Sequence, residues 1–105
     1  MIDYNGRRFS KPDSDAVAVY RQDGNVVWAE VAGGEVRRGA VTGTCGPDGT
    51  LHMGYTIVLA GGDVICGRTV NTPETTETGR LRLREVWERY GPHAATGVSY
   101  IDEVP

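Results

Sequence analysis

Glycine-bearing turn signals punctuate this chain at a nearly even spacing, and that spacing limits the fold more than any other feature. They are "QDGN" at 22–25, "AGGE" at 32–35, "CGPDGT" at 45–50, "AGGD" at 60–63, "ETTETG" at 74–79 and "YGPHAATG" at 90–97. Asp-Gly and Gly-Gly pairs supply the positive φ that tight hairpins need. Turn signals that start 10–16 residues apart, with short runs between them, mark an all-β sandwich or barrel. Between them lie "AVAVYR", "VVWAEV", "VRRGAVTGT", "LHMGYTIVL", "VICGRTVN", "LRLREVWERY" and "VSYIDEV". These runs favour Val, Thr, Ile and Tyr, which fit a pleated, half-buried surface. An opening strand over residues 2–9 brings the count to eight. No linker or low-complexity tract interrupts the pattern, so residues 1–105 read as one domain.

One run has two readings. In "LRLREVWERY", residues 81–90, a helix would put Leu83, Val86, Trp87 and Tyr90 on one stripe, with Glu85 and Arg89 beside it. A strand would put Leu81, Leu83, Glu85 and Trp87 on one face, so that a carboxylate shares the apolar side. A meander of hairpins continues most simply with another strand. Eight up-and-down antiparallel strands with short loops close most economically as a barrel, which removes both sheet edges. Such a barrel encloses room for side chains or for one small ligand.

Charge and hydropathy narrow the function. The net charge is -3 with both signs interspersed, and no basic arm marks the chain for nucleic acid. The longest apolar run, "YTIVLA", is too short to cross a bilayer. "MIDYNGRRFS" has no apolar segment of the secretory kind, and Cys45 and Cys66 make no disulfide framework. The expected setting is the cytoplasm, with both thiols reduced and far apart.

Five segments, "YNGRRF" at 4–9, "YRQDGNVVWAEVAGGEVRRG" at 20–39, "DGTLHMGY" at 48–55, "TPETTETGRLRLREVW" at 72–87 and "GVSYIDE" at 97–103, carry a resemblance. The chain resembles small bacterial proteins labelled N-acetylglutamate synthase, with 20–39 the most specific stretch. The resemblance implies a calycin-like or avidin-like barrel, in agreement with the turn count, and acetyl transfer to glutamate. The chain departs from that family at Arg84, where the family has histidine, and around Cys66. Acetyltransferases hold a pyrophosphate on a glycine loop that opens onto a helix N-terminus. No such loop follows a strand here, so the residues themselves predict no useful acetyl-CoA binding and call for no cofactor.

Hairpin register suggests a site. Centring "AGGD" between residues 61 and 62 sets Tyr55 opposite Arg68, and centring "ETTETG" between 76 and 77 sets Arg68 opposite Glu85. The same registers align Ile57 with Cys66 and Trp87, and Met53 with Val70 and Leu83. Thr42 and Ala40 would then face Met53 and Tyr55. The expectation is an interior Tyr55–Arg68–Glu85 row among Met53, Ile57, Leu83 and Trp87, at the barrel mouth. One account of the row is an ion pair closing that mouth. The other is a ligand site of Tyr55, Arg68, Glu85, Trp87 and Met53, since interior charges are retained where they are paired or used. His52 falls out of phase with its apolar neighbours and His93 lies in a loop, which argues against a metal site. The register about "AGGE" pairs Trp28 with Gly39 and leaves open whether the Trp28 or the Arg38 side faces inward.

Three functions stay open. The first is a barrel that binds a small, partly polar molecule. The second is an isomerase, cyclase or lyase with Glu85 and Tyr55 as catalytic acid and base, or the acetyltransferase that the resemblance names. The third is a filled barrel that acts by forming a homo-oligomer.

Overall fold

The structure is a computed structural model and describes residues 2–105. Its strands are β1 (Arg8–Ser10), β2 (Val17–Asp23), β3 (Val26–Gly33), β4 (Val36–Cys45), β5 (Leu51–Leu59), β6 (Val64–Thr75), β7 (Leu81–Arg89) and β8 (Ala95–Val104). Each pairs antiparallel with the next, and β1 pairs with β8 to close the barrel. The double reading of 81–90 therefore resolves as strand: β7 is hydrogen-bonded to β6 on one side and β8 on the other. The opening strand is shorter than residues 2–9. Pairing begins only at Arg8, and the stretch before it turns back so that the Tyr4 N–H donates to Gln22 Oε1.

Three hairpins share one turn geometry. In Gly46–Thr50, Leu59–Asp63 and Thr76–Arg80 the first N–H donates to the carbonyl of the fifth residue, and the fourth N–H to the carbonyl of the first. The fourth residue is always glycine at positive φ: Gly49 at 86°, Gly62 at 93° and Gly79 at 82°. This is a turn followed by a left-handed bulge residue, and it spans an odd number of residues. A centre between two residues, as in a two-residue hairpin, therefore misplaces the partner strand by an odd step and turns its faces over.

That error decides the register. Tyr55 lies opposite Gly67, not Arg68, and Glu85 lies opposite Asn71, not Arg68. Met53 pairs with Thr69 and Gly43, Trp87 with Thr69, and Ile57 with Ile65. On β6 the inward residues are the odd ones, so Arg68 points outward and Cys66 is exposed rather than part of the apolar row. The β3–β4 ladder differs as well: it has a bulge between Val31 and Gly33 and pairs Trp28 with Thr42, while a second bulge, between Val36 and Arg38, lies in the β4–β5 ladder. Val27 and Ala29 are buried and Trp28 is exposed, so the Trp28 side of β3 faces out.

The apolar core occupies one end. Tyr4, Phe9 and Tyr20 form a ring cluster with centroids 5.1–6.4 Å apart. Leu51, Met53, Leu83, Val27 and Cys45 pack around it. Tyr4 donates its hydroxyl to the Gly49 carbonyl at 2.7 Å and so ties this plug to the β4–β5 turn. Met53, expected at the ligand site, belongs to this core and does not border the cavity described next.

Candidate functional site

At the opposite end, beneath the β1–β2 connection, the barrel holds a cavity of about 250 Å³. Val31, Val36, Val41 and Ile57 form apolar walls, and Lys11, Ser14 and Ala16 lie at the rim. Glu85, Ser99, Thr69 and the Tyr20 ring line it from β7, β8, β6 and β2, and Tyr55, Trp87 and Arg89 complete the lining. Of the residues expected at a site, Tyr55, Glu85 and Trp87 meet here because the alternation of β5 and β7 points them inward.

Arg68 does not join them. Its Nε donates to Glu88 Oε1 at 3.0 Å on the outer surface, with the arginine side chain 68% exposed. The partners of Glu85 are neutral instead. Its Oε2 accepts from Asn71 Nδ2 at 3.0 Å and its Oε1 from Ser99 Oγ at 3.2 Å. Asn71 is itself fixed, because its Oδ1 accepts the Thr69 hydroxyl. Thr69, Asn71 and Ser99 therefore form a hydrogen-bonded cradle for one carboxyl group. Burial holds the Glu85 carboxyl above the ordinary carboxylate range, although the Asn71 and Ser99 hydrogen bonds and the field of Lys11 partly offset it. Tyr20 is pushed far above the ordinary phenol range, chiefly by burial and secondly by the Glu85 charge.

The two aromatic walls depend on glycine. A Cβ on Gly67 would lie 2.7 Å from the Tyr55 hydroxyl oxygen, and one on Gly97 would lie 2.5 Å from Trp87 Cζ2. Each ring thus rests on the glycine directly across the ladder, where no side chain competes for the space. The Arg89 guanidinium sits 5.2 Å from the Trp87 ring centroid, a cation–π contact that places a positive charge beside the apolar wall. Burial raises the Tyr55 hydroxyl pKa, with Arg89 acting in the opposite direction.

Thr69, Asn71 and Ser99 line the cavity or hold Glu85 without any motif in the sequence that marks them. The one signal lies on β6, where Thr69 and Asn71 alternate with Arg68 and Val70, and it can be read only once the five-residue turns set the phase.

A closed eight-stranded meander with a plug at one end and a polar-floored cavity at the other defines a small calycin-like barrel. Residues 2–104 match the model of the family described as avidin-like protein, and the chain belongs to that family. No curated protein and no solved structure matches it.

Proposed function

We propose that the protein binds a small, partly polar molecule in the open end of its barrel, with Glu85 orienting it between Tyr55 and Trp87. The observation that carries this reading is a cradled carboxyl group facing an apolar cavity, with no ion pair to it among the described residues. Ligand pockets are mostly apolar with a few convergent polar groups, and a hydrogen-bond donor from a ligand would use the acceptor capacity that Asn71 and Ser99 leave free. Membership of the avidin-like family, whose barrels bind small ligands, supports the same reading. The open volume counts against a barrel filled by its own side chains. An exposed free thiol at Cys66 fits a reducing, cytoplasmic setting.

Native mass spectrometry of the purified protein tests it, alongside a Val41→Trp variant that fills the cavity from its wall. A non-covalent adduct on the wild type that is missing from the variant supports the reading. If no adduct is found and millimolar panels of small amines, amides and carboxylic acids leave the melting temperature unmoved, binding at this site is refuted.

A second reading, acid–base catalysis by Glu85 and Tyr55, is favoured by the raised carboxyl pKa, because a buried acid poised above its usual range suits proton transfer. Acetyl transfer to glutamate is less well served. The cavity of about 250 Å³ lies just below the ~300–1,000 Å³ usual for ligand pockets, and among the described residues no helix N-terminus lines it to receive a pyrophosphate. Calorimetric titration with acetyl-CoA should show no binding at micromolar concentrations, and a micromolar dissociation constant would reinstate that activity.

A further inference from the structure

Charge around the cavity is ordered by depth. Of the side chains that line it, three are charged: Glu85 on the floor, and Lys11 and Arg89 towards the mouth. None of the three makes an ion pair among the described residues. The floor is built for a carboxylate. The Thr69 hydroxyl takes Asn71 Oδ1, so the amide presents its donor-only Nδ2 to Glu85 Oε2, and Ser99 Oγ supplies a second donor to Oε1. These bonds support the charged form while burial opposes it, a conflict that a countercharge would resolve. At the mouth the sign is reversed. Lys11 belongs to the connection between β1 and β2, and Arg89 ends β7 with its guanidinium against the Trp87 ring. Two cations there repel a ligand that is only positive and attract one that trails an anion.

We infer, resting on the binding role proposed above, that the ligand is an ω-amino acid that enters ammonium first, its ammonium on Glu85 and its carboxylate between Lys11 and Arg89. An ammonium brings to the Glu85 oxygens both hydrogen-bond donors and the countercharge, whereas a neutral amide brings only donors. The spacer lies along Val41, Ile57, Tyr55 and Trp87, which offer apolar and aromatic surface. Its length follows from β7. Glu85 and Arg89 stand four positions apart on that strand, roughly 13 Å at ~3.3 Å per residue. A hydrogen bond of about 2.9 Å at each end leaves roughly 7 Å for the ligand. Two extended backbone residues, or about six single-bonded links, cover that distance. An α-amino acid carries both charges on one carbon and cannot meet both ends.

Calorimetric titration with a matched set of five-carbon probes tests the inference: 5-aminopentanoate, pentylamine, pentanoate and the monoamide of glutaric acid. On the wild type, 5-aminopentanoate should bind about tenfold or more tightly than each of the others. Glu85→Gln should weaken it by about tenfold or more and leave the monoamide no weaker, since a neutral head loses no ion pair. The Lys11→Met/Arg89→Met pair should weaken 5-aminopentanoate and pentanoate but not pentylamine. Circular dichroism checks that each variant is folded, and the ranking on the wild type carries the test should a variant fail to fold. A monoamide or pentanoate that binds as tightly as 5-aminopentanoate overturns the ammonium at Glu85. Pentylamine binding as tightly overturns the carboxylate at the mouth. In these cases the cavity still binds a small molecule, and the broader role survives. If no probe binds at millimolar concentration, the ω-amino acid is refuted, and the adduct on the wild type decides the broader role separately.

Discussion

At the cavity floor, Glu85 is held by Asn71 and Ser99 rather than by a cation, and this changes what its replacement does. Its folded pKa lies above the ordinary value of 4.5. Between those two values the folded chain keeps a proton that the unfolded chain has lost, so stability falls as pH rises through the interval. The contribution is complete below the unfolded pKa and gone above the folded one. Glu85→Gln should therefore melt at or above the wild-type temperature at pH 8, with the difference shrinking by pH 4. Each kcal/mol of relief corresponds to about 4–8 °C in a chain of this size. Thermal melts at the two pH values check this, and a Gln variant that is weaker at pH 8 than at pH 4 would contradict it. Trp87 gives a second case. Gly97→Ala places a methyl 2.5 Å from the indole, whose ring has the cavity to move into. The expected cost is about 1–3 kcal/mol, with a shift in tryptophan emission. Equilibrium unfolding followed by fluorescence reads both.

Among the elements, the five-residue turns govern the molecule. Gly79 has φ of 82° and open space around its missing Cβ, so Gly79→Ala should cost only the left-handed backbone penalty of about 1–2 kcal/mol. At Gly67 an added Cβ would lie 2.1 Å from the Glu88 carbonyl oxygen, so the sheet itself must move. Gly67→Ala should be clearly the more damaging of the two in urea titrations. Equal losses would mean that the close packing of β6 on β7 is not what keeps this glycine. These turns also explain what could be read in advance. Strand order, the strand at 81–89 and the inward faces of β5 and β7 follow from alternation within each run, which carries its own phase. Cross-strand pairing does not, because it depends on how many residues a turn spends. Tyr55, Glu85 and Trp87 were legible for the first reason. The outward side of Arg68 and the inward side of Thr69 and Asn71 are not legible, for the second.

At the scale of the whole molecule, the apolar core and the cavity divide between the two ends of the barrel. Leu83 is fully buried in the plug and stands on the same face of β7 as Glu85. Leu83→Ala should cost about 2–5 kcal/mol, measured by denaturant unfolding. Val36→Ala, on the half-buried cavity wall, should cost less and, on the binding role proposed above, alter ligand uptake instead. A plug variant that melts like the wild type would show that the aromatic end is not the main support of the fold. Closure of the barrel, meanwhile, rests on its shortest strand. β1 contributes three residues, Arg8, Phe9 and Ser10, to each of its two neighbours, whereas β6 and β7 pair over nine positions. The ring of strands therefore has a seam, and thermal breathing should begin there. Amide hydrogen exchange should be fastest across Arg8–Ser10 and its partners on β2 and β8, well ahead of β6 and β7. Whenever that seam parts, β2 and β8 become bare strand edges, open to pairing with a neighbouring chain until Phe9 settles back into the aromatic plug.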